Sequence, residues 1–219
     1  MSDTPLTGLL LAGGAGRRMG RDKAHAVVGG VTLVDRALTV LWSVCEDVLV
    51  APGERPLGRG VEEVADARPG AGPLGGLVAG LERARTPLVA VLAVDLPLAS
   101  GPVLRALAAA WDGEDAVMPV VDGRREPLHA VWASAAAPAL RVALERGDLA
   151  LHRAAAGLRV RSAGREVWGD AAGRSAFWHN VNTPRDLAAV PALAAGPPER
   201  GRSDGTGPPP VALPPERGP

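Results

Sequence analysis

Isoleucine, tyrosine and glutamine are absent from this 219-residue chain, and lysine, cysteine and phenylalanine occur once each. The single cysteine, Cys45, excludes an internal disulfide, and no CxxC or Cys/His cluster of the kind that holds structural zinc is present. Net charge is also missing. The 24 basic and 24 acidic side chains cancel, which leaves no electrostatic footprint for non-specific nucleic-acid or membrane-surface binding. The longest apolar run, near Leu88 to Val94, falls far short of the ~20 residues that span a bilayer. Asp3 and the lack of a basic segment ahead of the first apolar stretch are unlike a signal peptide. These absences predict a soluble, cytoplasmic protein with neither nucleic acid nor membrane as partner.

The scarcity acts as a filter. With 23 arginines against one lysine, arginine serves almost everywhere a cation is wanted, so Lys23 marks a place where a guanidinium does not suffice. A compact ammonium is a point charge that fits a tight phosphate site, whereas a guanidinium is wide and planar. The only two asparagines, Asn180 and Asn182, fall in one short segment. Chance survival is the alternative for each residue taken alone.

Length and an ordinary apolar content of 47% predict one globular domain over residues 1–195. From Pro197 onward, twelve of the last 23 residues are Pro or Gly and PPERG occurs twice. Such a segment buries too little surface to offset its ordering entropy, which predicts a disordered tail over 196–219. Within the domain, strand-like runs at Leu6 to Leu11, Asp47 to Ala51, Leu88 to Val94, Val117 to Val121, Pro127 to Trp132 and Arg159 to Ser162 alternate with helix-like stretches. The helical stretches are Leu33 to Val44, Leu74 to Ala84, a segment opened by Ser100-Gly101-Pro102, Ala135 to Glu145, and one after Thr183. This alternation predicts an α/β fold with a mostly parallel sheet and helices on both faces. Right-handed crossovers then set every strand's C-terminal end on one edge, where ligands bind.

The run LLLAGGAGRRMGRDK, Leu9 to Lys23, starts at a strand end. Gly13, Gly14, Gly16 and Gly20 let the backbone turn sharply and approach a ligand. Successive N–H groups in such a loop make an anion-binding concavity. Arg17, Arg18 and Lys23 add enough positive charge for a triphosphate. The run is neither a P-loop, which needs Gly-Lys-Ser/Thr, nor the dinucleotide fingerprint. Asp95 follows an all-apolar strand, and a carboxylate there is costly unless a cation meets it. Mg²⁺ is held by one or two carboxylates together with substrate phosphates, so a single Asp suffices. A turn or helix cap is the alternative role for Asp95.

LAGGxxxRMGxDK resembles the signature loop of molybdenum cofactor guanylyltransferases, nucleotidyltransferases of the sugar-nucleotide-pyrophosphorylase-like superfamily. Asp66 ahead of GPLGGL (Gly72 to Leu77), VDLPL (Val94 to Leu98), EPLHAVW (Glu126 to Trp132) and NVNTPRDL (Asn180 to Leu187) follow in that family's order. The likeness covers about residues 6 to 190 and implies a three-layer Rossmann-like nucleotidyltransferase fold. It also implies GMP transfer from GTP to molybdopterin with Mg²⁺, and contact with proteins that carry or receive the cofactor. By resemblance, Leu11, Ala12, Gly13 and Gly14 meet the base and ribose, and Asp66 meets the guanine edge. Arg18 and Lys23 neutralise the triphosphate, and Asp95 holds Mg²⁺ with Asn182 as second ligand or water-positioning group. Asn182 reads equally well as a cap for the helix opened by Pro184, and Asp66 as a surface carboxylate.

Two features depart from the pattern or stay open. Ala51 stands where the guanylyltransferase pattern often has an asparagine helping to bind the nucleotide. His129 is read as a satisfied strand histidine, facing the acceptor being the alternative. Cys45 is expected on an apolar helix face. The remaining functional alternatives are cytidylyl transfer, guanylyl transfer to another phosphorylated acceptor, and a nucleotide-binding regulatory module without turnover.

Overall fold

A computed structural model describes residues 4–13, 23–172 and 176–195. Its strands are β1 (Leu6–Leu11), β2 (Val27–Val28), β3 (Val31–Thr32), β4 (Asp47–Ala51), β5 (Glu62–Glu63), β6 (Leu88–Ala93), β7 (Ala116–Val121), β8 (Arg124–Arg125), β9 (His129–Ala133) and β10 (Val160–Ala163). The helices are α1 (Leu33–Trp42), α2 (Pro73–Arg83), α3 (Gly101–Ala109), α4 (Ala137–Glu145), α5 (Leu151–Ala154), α6 (Arg165–Ala172) and α7 (Pro184–Ala195). The main sheet runs β10-β7-β9-β6-β1-β4-β5, with β8 paired to β7, and β2 and β3 form a separate hairpin.

Local chemistry sets the helix starts. Thr32 caps α1 by accepting from the Asp35 N–H, and Ser100 caps α3 by accepting from the Val103 N–H. Leu33, Val34, Ala37, Leu38 and Leu41 form the buried stripe of α1, the spacing of a helix that covers one sheet face. The central strands are apolar on both faces because both are covered. Leu88, Ala90 and Leu92 pack on one side with Leu38, Leu104 and Trp168, while Val89 and Val91 pack on the other with Leu74, Leu77 and Leu140. Alternate residues of each strand thus feed two apolar layers, giving helix, sheet and helix as three layers.

Three expectations are corrected. β9 runs antiparallel to both β6 and β7, so its N-terminal end, not its C-terminal end, lies on the ligand edge. The strand begins at His129 rather than Pro127, since proline has no N–H for the ladder. Cys45 lies beyond the C-terminus of α1, buried and close to Gly8 of β1. Two-residue strands and the glycine-flanked α6 had no readable periodicity. The 196–219 tail lies outside the described residues.

Candidate active site

The chain passes from β1 to β4 and β5 on one side, then returns to place β6 on the other side of β1. The sheet order therefore reverses between β1 and β6. A crevice opens at the C-terminal ends of the strands at such a point. β1 and β6 are in parallel register there, Leu11 beside Ala93, and the Val94 N–H donates to the Leu11 carbonyl at 3.0 Å.

On the β6 side, three residues distant in sequence form one hydrogen-bonded chain. Lys23 Nζ donates to Asp95 Oδ2 at 2.8 Å and to Asn182 Oδ1 at 3.0 Å. The Lys23 and Asp95 side chains are only 17% and 20% exposed, so this ion pair is better shielded from water and salt than a surface pair. Asp95 Oδ1 is buried and has no hydrogen-bond partner among the described residues. An orphaned carboxylate oxygen is costly, and with the Asn182 carbonyl oxygen nearby the donor set is that of a hard cation. No group of three or more His, Cys, Asp or Glu suited to a metal occurs among the described residues. Two oxygen donors, Asp95 Oδ1 and Asn182 Oδ1, suit an ion that takes its other ligands from substrate phosphates and water, as Mg²⁺ does.

The backbone of Asn182 is tied to the same place, since the Val181 N–H donates to the Asp95 carbonyl at 2.9 Å. Asn182 does not cap α7 with its side chain. That role falls to Thr183 and Asp186, whose side chains accept from each other's backbone N–H at 3.2 and 2.8 Å, a reciprocal capping box. The Thr-x-x-Asp spacing carried this signal in the sequence, although the readings above did not single out Asp186.

On the β4 side, the Ala12 and Gly13 N–H groups both donate to the Ala51 carbonyl, at 2.9 and 3.2 Å. Gly13 then runs against Gly53; a Cβ added to Gly13 would stand 2.9 Å from the Gly53 Cα, so only glycine fits this crossing. Asp66, between β5 and α2, reaches the same end of the sheet. A Cβ on Gly76 would meet Ala51 Cβ at 2.8 Å, Leu11 Cδ2 at 3.1 Å and Asp66 Oδ1 at 3.2 Å. Partial burial raises the Asp66 carboxyl above the usual range, which is compatible with a carboxylate kept for a ligand.

The structure thus brings together Lys23, Asp95 and Asn182, and sets Leu11, Ala12, Gly13 and Asp66 around the ends of β1 and β4. Gly14 and Arg18 lie outside the described residues. His129 is fully buried, so it does not face a ligand; its Nε2 accepts the Ser100 N–H at 3.0 Å and its ring packs on Phe177.

The family described as MobA-like NTP transferase domain matches residues 8–161. A protein of Chloroflexus aggregans named "Probable molybdenum cofactor guanylyltransferase" is 34% identical over 197 residues, covering 85% of this chain and 94% of the relative. Among solved structures, molybdopterin-guanine dinucleotide biosynthesis protein A from Archaeoglobus fulgidus superposes with a TM-score of 0.75 at 25% identity, over 86% of this chain and 98% of that one. The 2-C-methyl-D-erythritol 4-phosphate cytidylyltransferase of Thermus thermophilus gives a TM-score of 0.57 at 26% identity, over 85% of this chain and 98% of that one.

Proposed function

Since the chain belongs to the MobA-like NTP transferase family and is a nucleotidyltransferase, we propose that it transfers GMP from GTP to the terminal phosphate of molybdopterin, releasing pyrophosphate. The observation that carries this reading is the Lys23–Asp95–Asn182 chain at the reversal between β1 and β6. It stands beside a glycine-rich strand end and across from Asp66.

An oxygen of the acceptor phosphate attacks the α-phosphorus. The new P–O bond forms as the bond between the α-phosphorus and the bridging oxygen breaks, and pyrophosphate leaves with that electron pair. A phosphate acceptor is already ionised, so no general base is required. The protein contributes position and charge neutralisation. Lys23 supplies positive charge to the triphosphate, and with Arg18 it offsets the charge that builds on the leaving group. Leu11 to Gly14 present backbone to the base and ribose, and the Asp66 carboxylate accepts from the guanine ring N–H and exocyclic amine. Asp95 and Asn182 hold Mg²⁺, which when bound supplies further charge neutralisation at the phosphate oxygens.

Cytidylyl transfer is the second reading, favoured by the likeness to a cytidylyltransferase fold and by Ala51 at a position where the guanylyl pattern often has asparagine. One experiment addresses both. Pyrophosphate release is measured from GTP, CTP and ATP with Mg²⁺, with and without purified molybdopterin. Release from GTP that requires molybdopterin is the expected result. Release from CTP instead would reassign the base, and GTP binding without release from any nucleotide would favour a regulatory module.

A further inference from the structure

We propose that Asp186 is a positioning residue for the transfer site, acting through Asn182. The inference rests on the reading of Lys23, Asp95 and Asn182 given above. A carboxylate three residues beyond a helix cap needs one bond to complete a capping box, the bond to the cap residue's own N–H. Asp186 makes that bond to Thr183 at 2.8 Å. It makes a second bond of the same length to the N–H of Asn182, a residue outside the helix. Capping α7 has no use for this second bond.

What the second bond does is fix an exposed side chain. Asn182 is exposed, so no packing selects its rotamer, yet its Oδ1 must meet Lys23 Nζ at 3.0 Å. Its backbone is held from both sides instead. The Asp95 carbonyl takes the Val181 N–H, and Asp186 Oδ2 takes the N–H of Asn182 itself. With the peptide anchored at both points, only the two side-chain torsions of Asn182 remain free. The clamp is a carboxylate that accepts both N–H groups, Asn182 and Thr183, through the same oxygen, a charge-assisted and therefore stronger form of such a bond. Groups that orient a site residue in this way govern the site's geometry without touching substrate.

Thr183 offers the control. Thr183→Ala removes the other half of the same capping box, the acceptor for the Asp186 N–H, but leaves the bond from Asp186 to Asn182. Lys23 offers the readout: it is the only lysine, so lysine-selective ¹³C labelling of the full chain yields a single side-chain Cε resonance. Thr183→Ala, Asp186→Ala and Asp186→Asn are compared with the unaltered chain in that spectrum, in thermal unfolding, and in kcat and KM for pyrophosphate release.

Both alanine variants are expected to lower Tm. Only Asp186→Ala should move the Lys23 resonance and lower kcat, by roughly tenfold or more, with KM for GTP less affected. Asp186→Asn, which keeps an oxygen acceptor, should recover most of both. The proposal is overturned if Asp186→Ala leaves the resonance and kcat at their unaltered values, or if Thr183→Ala reproduces its effects. Should the unaltered chain fail to turn over any nucleotide, the functional reading fails, and the resonance alone still decides the role of Asp186.

Discussion

At the scale of single residues, burial decides the protonation of His129. Its Nε2 accepts the Ser100 N–H, so the ring proton sits on Nδ1, a buried atom with no hydrogen-bond partner among the described residues. Burial pulls the pKa down from 6.5 to about 4, contact with its own backbone pushing the other way. In the unfolded chain the ring titrates at its ordinary value. Between about pH 6.5 and 4 the unfolded state therefore takes up a proton that the folded state refuses, and stability rises with pH across that window and is flat above it. Each tenfold loss of proton affinity is worth about 1.4 kcal/mol, so the loss of stability on acidification is on the order of 3 kcal/mol. His129→Gln keeps an acceptor for Ser100 and removes the titration. Thermal unfolding followed from pH 7 to pH 4 should show a shallower fall for His129→Gln than for the unaltered chain. Parallel curves would show that His129 does not drive the acid sensitivity. Cys45, also buried, has its thiol pushed up to about 12, which leaves it inert as a nucleophile. The letters placed His129 in a strand and Cys45 in apolar surroundings, but the depth of burial that moves each pKa depended on the packing around them.

At the scale of elements, α2 shows how close packing sets the site. Gly75, Gly76 and Gly80 are all buried, and the helix lies so near the sheet that a Cβ on Gly80 would overlap the Leu9 side chain. Leu9 is wholly buried and has nowhere to move. Alanine at Gly80 gains about 1 kcal/mol of helix propensity but overpacks the core at a cost of about 1–3 kcal/mol, so the net effect is destabilising. Gly169 in α6 is the counterpart. The nearest atom to an added Cβ there is Arg165 Cβ at 3.6 Å, an ordinary contact, and Gly169→Ala should stabilise by roughly 0.5–1 kcal/mol. Denaturant unfolding of the two variants checks the opposite signs; equal signs would mean that Leu9 yields to an added methyl group. The sequence marked a helix over Leu74 to Ala84, within one residue of α2 at each end. That its glycines were spacers against Leu9, Leu11 and Ala51 rather than a flexible hinge depended on the facing strands.

At the scale of the whole molecule, the two apolar layers share one set of strands. β1, β4, β6, β7 and β9 each contribute residues to both, so neither helical layer can be lost without exposing an apolar face of the sheet on which the other layer also packs. Calorimetry should accordingly show one unfolding transition with equal calorimetric and van't Hoff enthalpies. Two resolved transitions would mean that the layers fold separately.

Much of this was open to reading in the chain itself. β1 and β4 have the bounds that their apolar runs implied, β6 differs by one residue, and the starts of α1 and α3 follow from Thr32 and Ser100. Those signals are local, because periodicity and capping bring together residues a few positions apart. The scarcity of lysine and asparagine singled out Lys23 and the segment that holds Asn180 and Asn182, the family resemblance chose Asn182 within it, and the apolar run before it singled out Asp95. Tertiary structure alone decided that these three meet, Lys23 bonding across 72 residues to Asp95 and across 159 to Asn182. It also turned β9 antiparallel, which carries His129 to the ligand edge while burying it. Strand order and direction are chosen by how both faces of one sheet are covered at once. That energy belongs to the assembled core and to no segment of the chain.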